Sequence, residues 1–140
     1  MNARHRVRAL ANALNLSTPL GLVVAALGGA TVARGPDGLL LATGYRLPVP
    51  PAPAFTLGNV VMARDPGIFE RRPALLIHEA RHATQYACCA GLPMVVLYVL
   101  AAGWSWVRCG DPASYNVFER RAGLLDGGYR TATAGRLRRR

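Results

Sequence analysis

The period of hydrophobic and polar positions changes several times along this chain, and each change marks an element. Between Arg8 and Leu16, Leu10, Leu14 and nearby alanines recur on one face, which predicts an amphipathic helix near residues 3–15. Ser17-Thr18-Pro19 restarts the pattern, and the apolar run that follows predicts a second helical segment near 19–33. Gly35-Pro36-Asp37-Gly38 is turn chemistry. Leu39 to Arg46 reads as a short strand. Pro48, Pro50, Pro51 and Pro53 then confine the chain to a rigid extended loop, because proline suits neither a helix interior nor a central strand. Phe55 to Ala63 reads as a second strand with Gly58-Asn59 as a bulge, and Asp65-Pro66-Gly67 turns away from it.

The second half is helical. Pro73 suits a first helical turn, and the pattern runs to about residue 90. Gly91-Leu92-Pro93 ends that helix and begins an apolar one over about 93–107. Asp111-Pro112 reads as an N-cap and first residue of a last helix, extending to about 125 among glycines. The order is helices, a small two-strand sheet, then three helices. That is an α+β fold, mainly helical. It divides into an N-terminal helical segment (1–34), a core (35–126) and a basic tail (127–140) read as disordered.

Two apolar stretches bear on a membrane. The segment 19–33 follows a basic start and has the look of a signal or anchor, although the leader before it is long. Met94 to Val107 lies within a run, Ala83 to Val107, that has no charged residue. A spanning helix needs roughly 20 apolar residues, so the preferred reading is a core helix, apolar all round because it is sandwiched. Trp104 and Trp106 ahead of Arg108 nevertheless resemble interfacial anchors. The expected location is cytoplasmic or peripheral to a membrane, with secretion through the N-terminal segment as the alternative.

Composition sharpens this picture. In 140 residues, 51% are hydrophobic, enough to fold one domain with a modest core. Seventeen basic residues, all arginine, face seven acidic ones, for a net charge of +10. Arg4, Arg6 and Arg8 open the chain, and Arg136, Arg138, Arg139 and Arg140 close it. Such ends read first as solvated tails, and also suit an anionic membrane surface or weak nonspecific nucleic-acid contact. No motif interleaves aromatic and basic residues, so specific nucleic-acid binding is not expected. Cys88, Cys89 and Cys109 make a poor disulfide framework and read as buried reduced thiols.

The chemistry concentrates in Leu75-Leu76-Ile77-His78-Glu79-Ala80-Arg81-His82. In a helix, residues four apart share a face, so His78 and His82 can present two imidazoles to one metal ion. Glu79, one step round, can take a proton from a water activated there. Hydrolytic zinc takes three protein ligands and keeps one position open. With so few acidic residues, the third ligand is sought in Glu119, whose helix aligns Tyr115, Glu119 and Ala122 on one face by its spacing; Asp126 is the reserve. Tyr115 is a candidate donor to a developing oxyanion, as is Tyr98, although Tyr98 reads first as a core residue. The Phe55–Ala63 strand could pair with an extended peptide.

Ala54-Phe55-Thr56-Leu57-Gly58-Asn59-Val60-Val61, the His78–Gln85 helix and Asn116-Val117-Phe118-Glu119-Arg120-Arg121-Ala122 together resemble a minimal HExxH zinc-metallopeptidase core of the gluzincin-like type. About half the chain is similar to small bacterial domains of unknown function that carry an HExxHxxQ helix and a later NxxExxA helix. The resemblance implies Zn2+ on His78, His82 and Glu119, with Glu79 as base. Arg81 departs from the uncharged residues usual between the histidines, and reads as a partner for a carboxylate of the protein or of a substrate. The expected function is a zinc-dependent hydrolase acting on a peptide or protein, its cleft completed by a second copy or a partner. The alternative is a membrane-associated structural or interaction protein with a structural or vestigial zinc site.

Overall fold

A computed structural model describes residues 1–132. The elements run α1 (Ala3–Leu14), α2 (Ser17–Leu27), β1 (Thr31–Arg34), a 3-10 turn (Pro36–Gly38), β2 (Leu40–Thr43), β3 (Ala54–Leu57), β4 (Val60–Ala63), α3 (Ile68–Arg71), α4 (Pro73–Cys88), α5 (Pro93–Cys109) and α6 (Val117–Ala122). This is an α+β fold, as the periodicities predicted.

The sheet has four strands, not two. Its order is β1-β2-β4-β3, with β2 and β4 parallel and the other pairs antiparallel. Two corrections account for the difference. The second helix stops at Gly28, where a Cβ would run into the Tyr45 ring, and Thr31–Arg34 pairs with β2 instead of extending the helix. Gly58-Asn59 is a hairpin turn instead of a bulge. Gly58 takes φ +61° at its first central position, the pattern of a two-residue turn that joins antiparallel strands. A side chain at Gly58 would also strike the backbone of Ser17 and Thr18.

β4 is buried along its whole length because helices cover both faces of the sheet. Ala25 of α2 packs with Ala42, Val60 and Met62 on one side, while Leu39, Val61 and Ala83 of α4 meet on the other. Gly21 lets α2 come this close, since its Cβ would lie 2.6 Å from the Leu57 carbonyl oxygen.

Polar ties lock α1 to this core. Asn12 is fully buried, and its Nδ2 donates to Asn59 Oδ1 and to the Ala83 carbonyl, each at 2.8 Å. Asn59 Nδ2 donates in turn to the Gly38 carbonyl. Asn12→Ala strips two buried acceptors of their donor, and should cost about 1–3 kcal/mol in chemical denaturation. An unchanged midpoint would mean that the amide is dispensable. Arg8, expected in a solvated basic start, is also buried and donates to the Asp37 carbonyl.

Four further expectations are revised. The last helix is shorter than 111–125: Asp111 accepts from the Ser114 backbone N–H in a turn, and Asn116 caps α6 by accepting from Phe118 N–H. The apolar α5 is not sandwiched. It meets the rest of the molecule along one seam through Met94, Tyr98, Ser105 and Cys109, and its other faces are exposed. Cys109 is buried, but Cys88 is exposed. Gly127 to Ala132, assigned to the tail, lies against the core: the Ala132 N–H donates to Ser114 Oγ, which donates to the Arg130 carbonyl. The remainder of that tail, with Arg136 and Arg138–Arg140, lies outside the described residues.

Candidate metal centre

α4 buries Leu75, His78, Glu79, His82, Ala83 and Tyr86, spacings of three and four that trace one helical face. The motif therefore points inward, against β3 and α6. α6 turns Glu119 and Ala122 toward α4 and leaves Arg120 and Arg121 in solvent. His78 and Glu119 are 1% and 2% exposed.

Three candidate ligand side chains converge. His78 Nε2 lies 3.0 Å from His82 Nε2 and 3.2 Å from Glu119 Oε2, and His82 Nε2 lies 3.5 Å from Glu119 Oε1. Two ligands held tetrahedrally at zinc–nitrogen distances stand about 3.3 Å apart, so these separations are of the size a metal site needs.

The outer nitrogens settle which inner atoms carry lone pairs. His78 Nδ1 faces the Gly123 carbonyl at 3.0 Å, and a carbonyl only accepts, so Nδ1 holds the hydrogen. Gln85 Nε2 donates to the Phe118 carbonyl, which turns Gln85 Oε1 toward His82 Nδ1 at 2.8 Å and makes that nitrogen a donor too. In their neutral forms both rings therefore aim Nε2 lone pairs at each other and at a carboxylate. Glu119 Oε2 is buried without a hydrogen-bond partner. Lone-pair atoms buried this close together favour a proton or a metal ion among them. The buried His78, His82 and Glu119 group can hold a metal ion.

Charge follows from this packing. Burial opposes ionisation of Glu119, but His78, His82 and the Tyr98 hydroxyl outweigh it and pull its pKa to about 2. Burial also disfavours the His78 imidazolium, yet Glu119 and Glu79 hold that proton more strongly, so its pKa rises overall. Glu79 is pushed the other way. Burial raises its pKa despite both histidines and the 2.7 Å hydrogen bond that Thr56 Oγ1 donates to its Oε2. A carboxylate so desolvated is a stronger base than one in water.

Glu79 and the triad form one wall of a cavity of about 450 Å³. β3 lines another wall, and Val24, Val95 and Val99 make the approach apolar. Two phenols line it as well. Tyr98 donates to Glu119 Oε1, and the Tyr129 ring lies 5.9 Å from the His78 ring, centroid to centroid. Burial and the two carboxylates keep both phenols protonated.

Tyr115 is not brought to the cavity. It precedes α6, its N–H donates to Ser105 Oγ, and its ring lies 5.5 Å from the Arg108 guanidinium carbon. Asp126 is paired with Arg81 at 2.6 Å instead of standing by as a ligand. Arg81 also donates to the Ala122 carbonyl at 2.7 Å, so the unusual arginine inside the motif clips the end of α6 onto α4 from outside. Gln85 was visible only as a motif letter; its bond to His82 gives it a part in orienting the ligand. Tyr129 and the close approach of Gly127 to His78 carried no sequence signal.

No family model matches the chain, and no curated protein or solved structure matches it.

Proposed function

We propose that the protein is a zinc-dependent hydrolase that cleaves an amide bond, in the manner of an HExxH peptidase. One observation carries this reading: three candidate ligand side chains stand at metal-ligand spacing with both outer imidazole nitrogens committed as donors, on the wall of a cavity shared with Glu79. Histidine nitrogen and carboxylate oxygen together suit zinc. His78, His82 and Glu119 would hold the zinc, which would supply a Lewis acid able to make water more acidic.

The chain's own residues do the rest. Glu79 accepts the proton of the attacking water and returns it to the leaving amine. Thr56 orients that carboxylate through its hydroxyl. Tyr98 steadies Glu119, and Tyr129 is the phenol available to stabilise the oxyanion, the role first sought in Tyr115. β3 is an outer strand beside the cavity, where an extended peptide can add main-chain hydrogen bonds.

The zinc-loaded chain should cleave members of an unbiased peptide mixture read by mass spectrometry. A chelator should stop the reaction and added zinc restore it. Cleavage that persists in the chelator would sink the mechanism.

A further inference from the structure

The cavity opens between two helices that carry apolar side chains into solvent. On α5, Leu100, Trp104, Trp106 and Val107 are 65%, 58%, 59% and 72% exposed. On α2, Val23 and Leu27 are 55% and 72% exposed. Val24 of α2 and Val95 and Val99 of α5 line the cavity, so both helices border it. Leu47 and Val49 of the proline loop add to the same rim, since Val49 lines the cavity as well. Exposed apolar side chains this numerous on the two helices that border a cavity mark an interaction site.

Charge selects the occupant. The chain has only seven acidic residues, and none lies in α2, in the loop between β2 and β3, or in α5. The exposed charges at the borders of this face are arginines. Arg46 sits at the end of α2, where its N–H donates to the Gly28 carbonyl. Arg108 ends α5, with its guanidinium 5.7 Å from the Trp104 ring. Apolar helices with tryptophan and arginine at their edge and no carboxylate match an apolar interior beneath anionic headgroups. No single described helix is long and apolar enough to cross a bilayer, and α1–α2 and α4–α5 reach that length only as pairs bent by 73° and 119°. With the exposed apolar positions divided between α2 and α5, docking at the membrane surface is the mode that uses both.

We propose that α2, α5 and the proline loop dock this protein onto an anionic bilayer, with the cavity mouth facing the lipid. If the hydrolase reading holds, the substrate class is then an apolar peptide segment at or within the membrane surface. Docking itself does not depend on that reading.

The full chain should float with vesicles of phosphatidylcholine and phosphatidylglycerol. Emission of its two tryptophans, Trp104 and Trp106, should shift to the blue. Omitting phosphatidylglycerol should weaken partitioning by about tenfold. Val96→Asp/Leu100→Asp, at two exposed α5 positions, should weaken it by at least about tenfold with the circular dichroism spectrum unchanged. Glu79→Gln should float like the parent, which separates a failure of docking from a failure of hydrolysis. Three results would overturn the proposal: no flotation and no emission shift; equal flotation of the folded double aspartate variant, which would place the attraction in basic segments alone; or a dimer without lipid whose tryptophans are already shielded, which would make a second copy the occupant.

Discussion

Glu79→Gln should abolish turnover and leave metal content unchanged. The substitution keeps the size of the side chain and an oxygen that can still accept from Thr56 Oγ1, so the local packing survives. It removes the carboxylate on this wall that stands outside the candidate ligand set and can take a proton from water and pass it on. Loss of a positioned general base costs about 10²–10⁴ in rate. Glu79 is not among the three converging ligands, so zinc should remain at one per chain by elemental analysis. Kinetics and metal content measured on the same preparation decide it. Full activity in the variant would remove Glu79 as base, and loss of metal would make it a ligand.

His78→Ala/His82→Ala should release the metal altogether, from about one ion per chain to none. In the parent, a metal held at a thousand times its dissociation constant stabilises the folded state by about 4 kcal/mol, seen as a large rise in melting temperature. The double variant should show no rise. The stabilisation should also depend on pH, with a definite sign. In the metal-free protein the raised pKa of His78 favours the folded state below the ordinary histidine range, and that contribution is lost as pH rises through the raised value. Metal binding needs the same nitrogen deprotonated. The thermal shift on adding zinc should therefore be small in mildly acidic buffer and grow toward pH 8. Glu119 imposes no limit in that window, because its pKa near 2 keeps it a carboxylate throughout. A shift that shrinks with rising pH would argue against an imidazole ligand set.

The legible part of the candidate site is its helical part. Residues four apart on a helix share a face, whatever the rest of the molecule does, so His78 and His82 could be placed side by side from their spacing alone. Glu119 was reached because few carboxylates exist in a chain this basic and because it sits among motif residues. The phenols were harder to read. Tyr115 was placed on the Glu119 face by assuming one helix from Asp111 onward, but the Asn116 side chain caps the helix later and leaves Tyr115 outside it. Tyr98 looked like core because its neighbours are apolar. It lies on the single buried seam of α5, and that seam faces Glu119.

The α+β class, the helix that carries His78 and His82, the break at Gly91-Leu92-Pro93 and the pairing of two imidazoles are legible in local pattern. Each depends on interactions within a few residues, where periodicity, proline and glycine act directly. The rest follows from long-range packing. A short segment such as Thr31–Arg34 becomes a strand because β2 offers it an edge, and its own pattern says little. Arg81 becomes a clip because α6 ends within its reach. The exposure of α5 follows from how few elements pack against it. Contacts of that kind join residues distant in the chain, and no local pattern records which surfaces will meet.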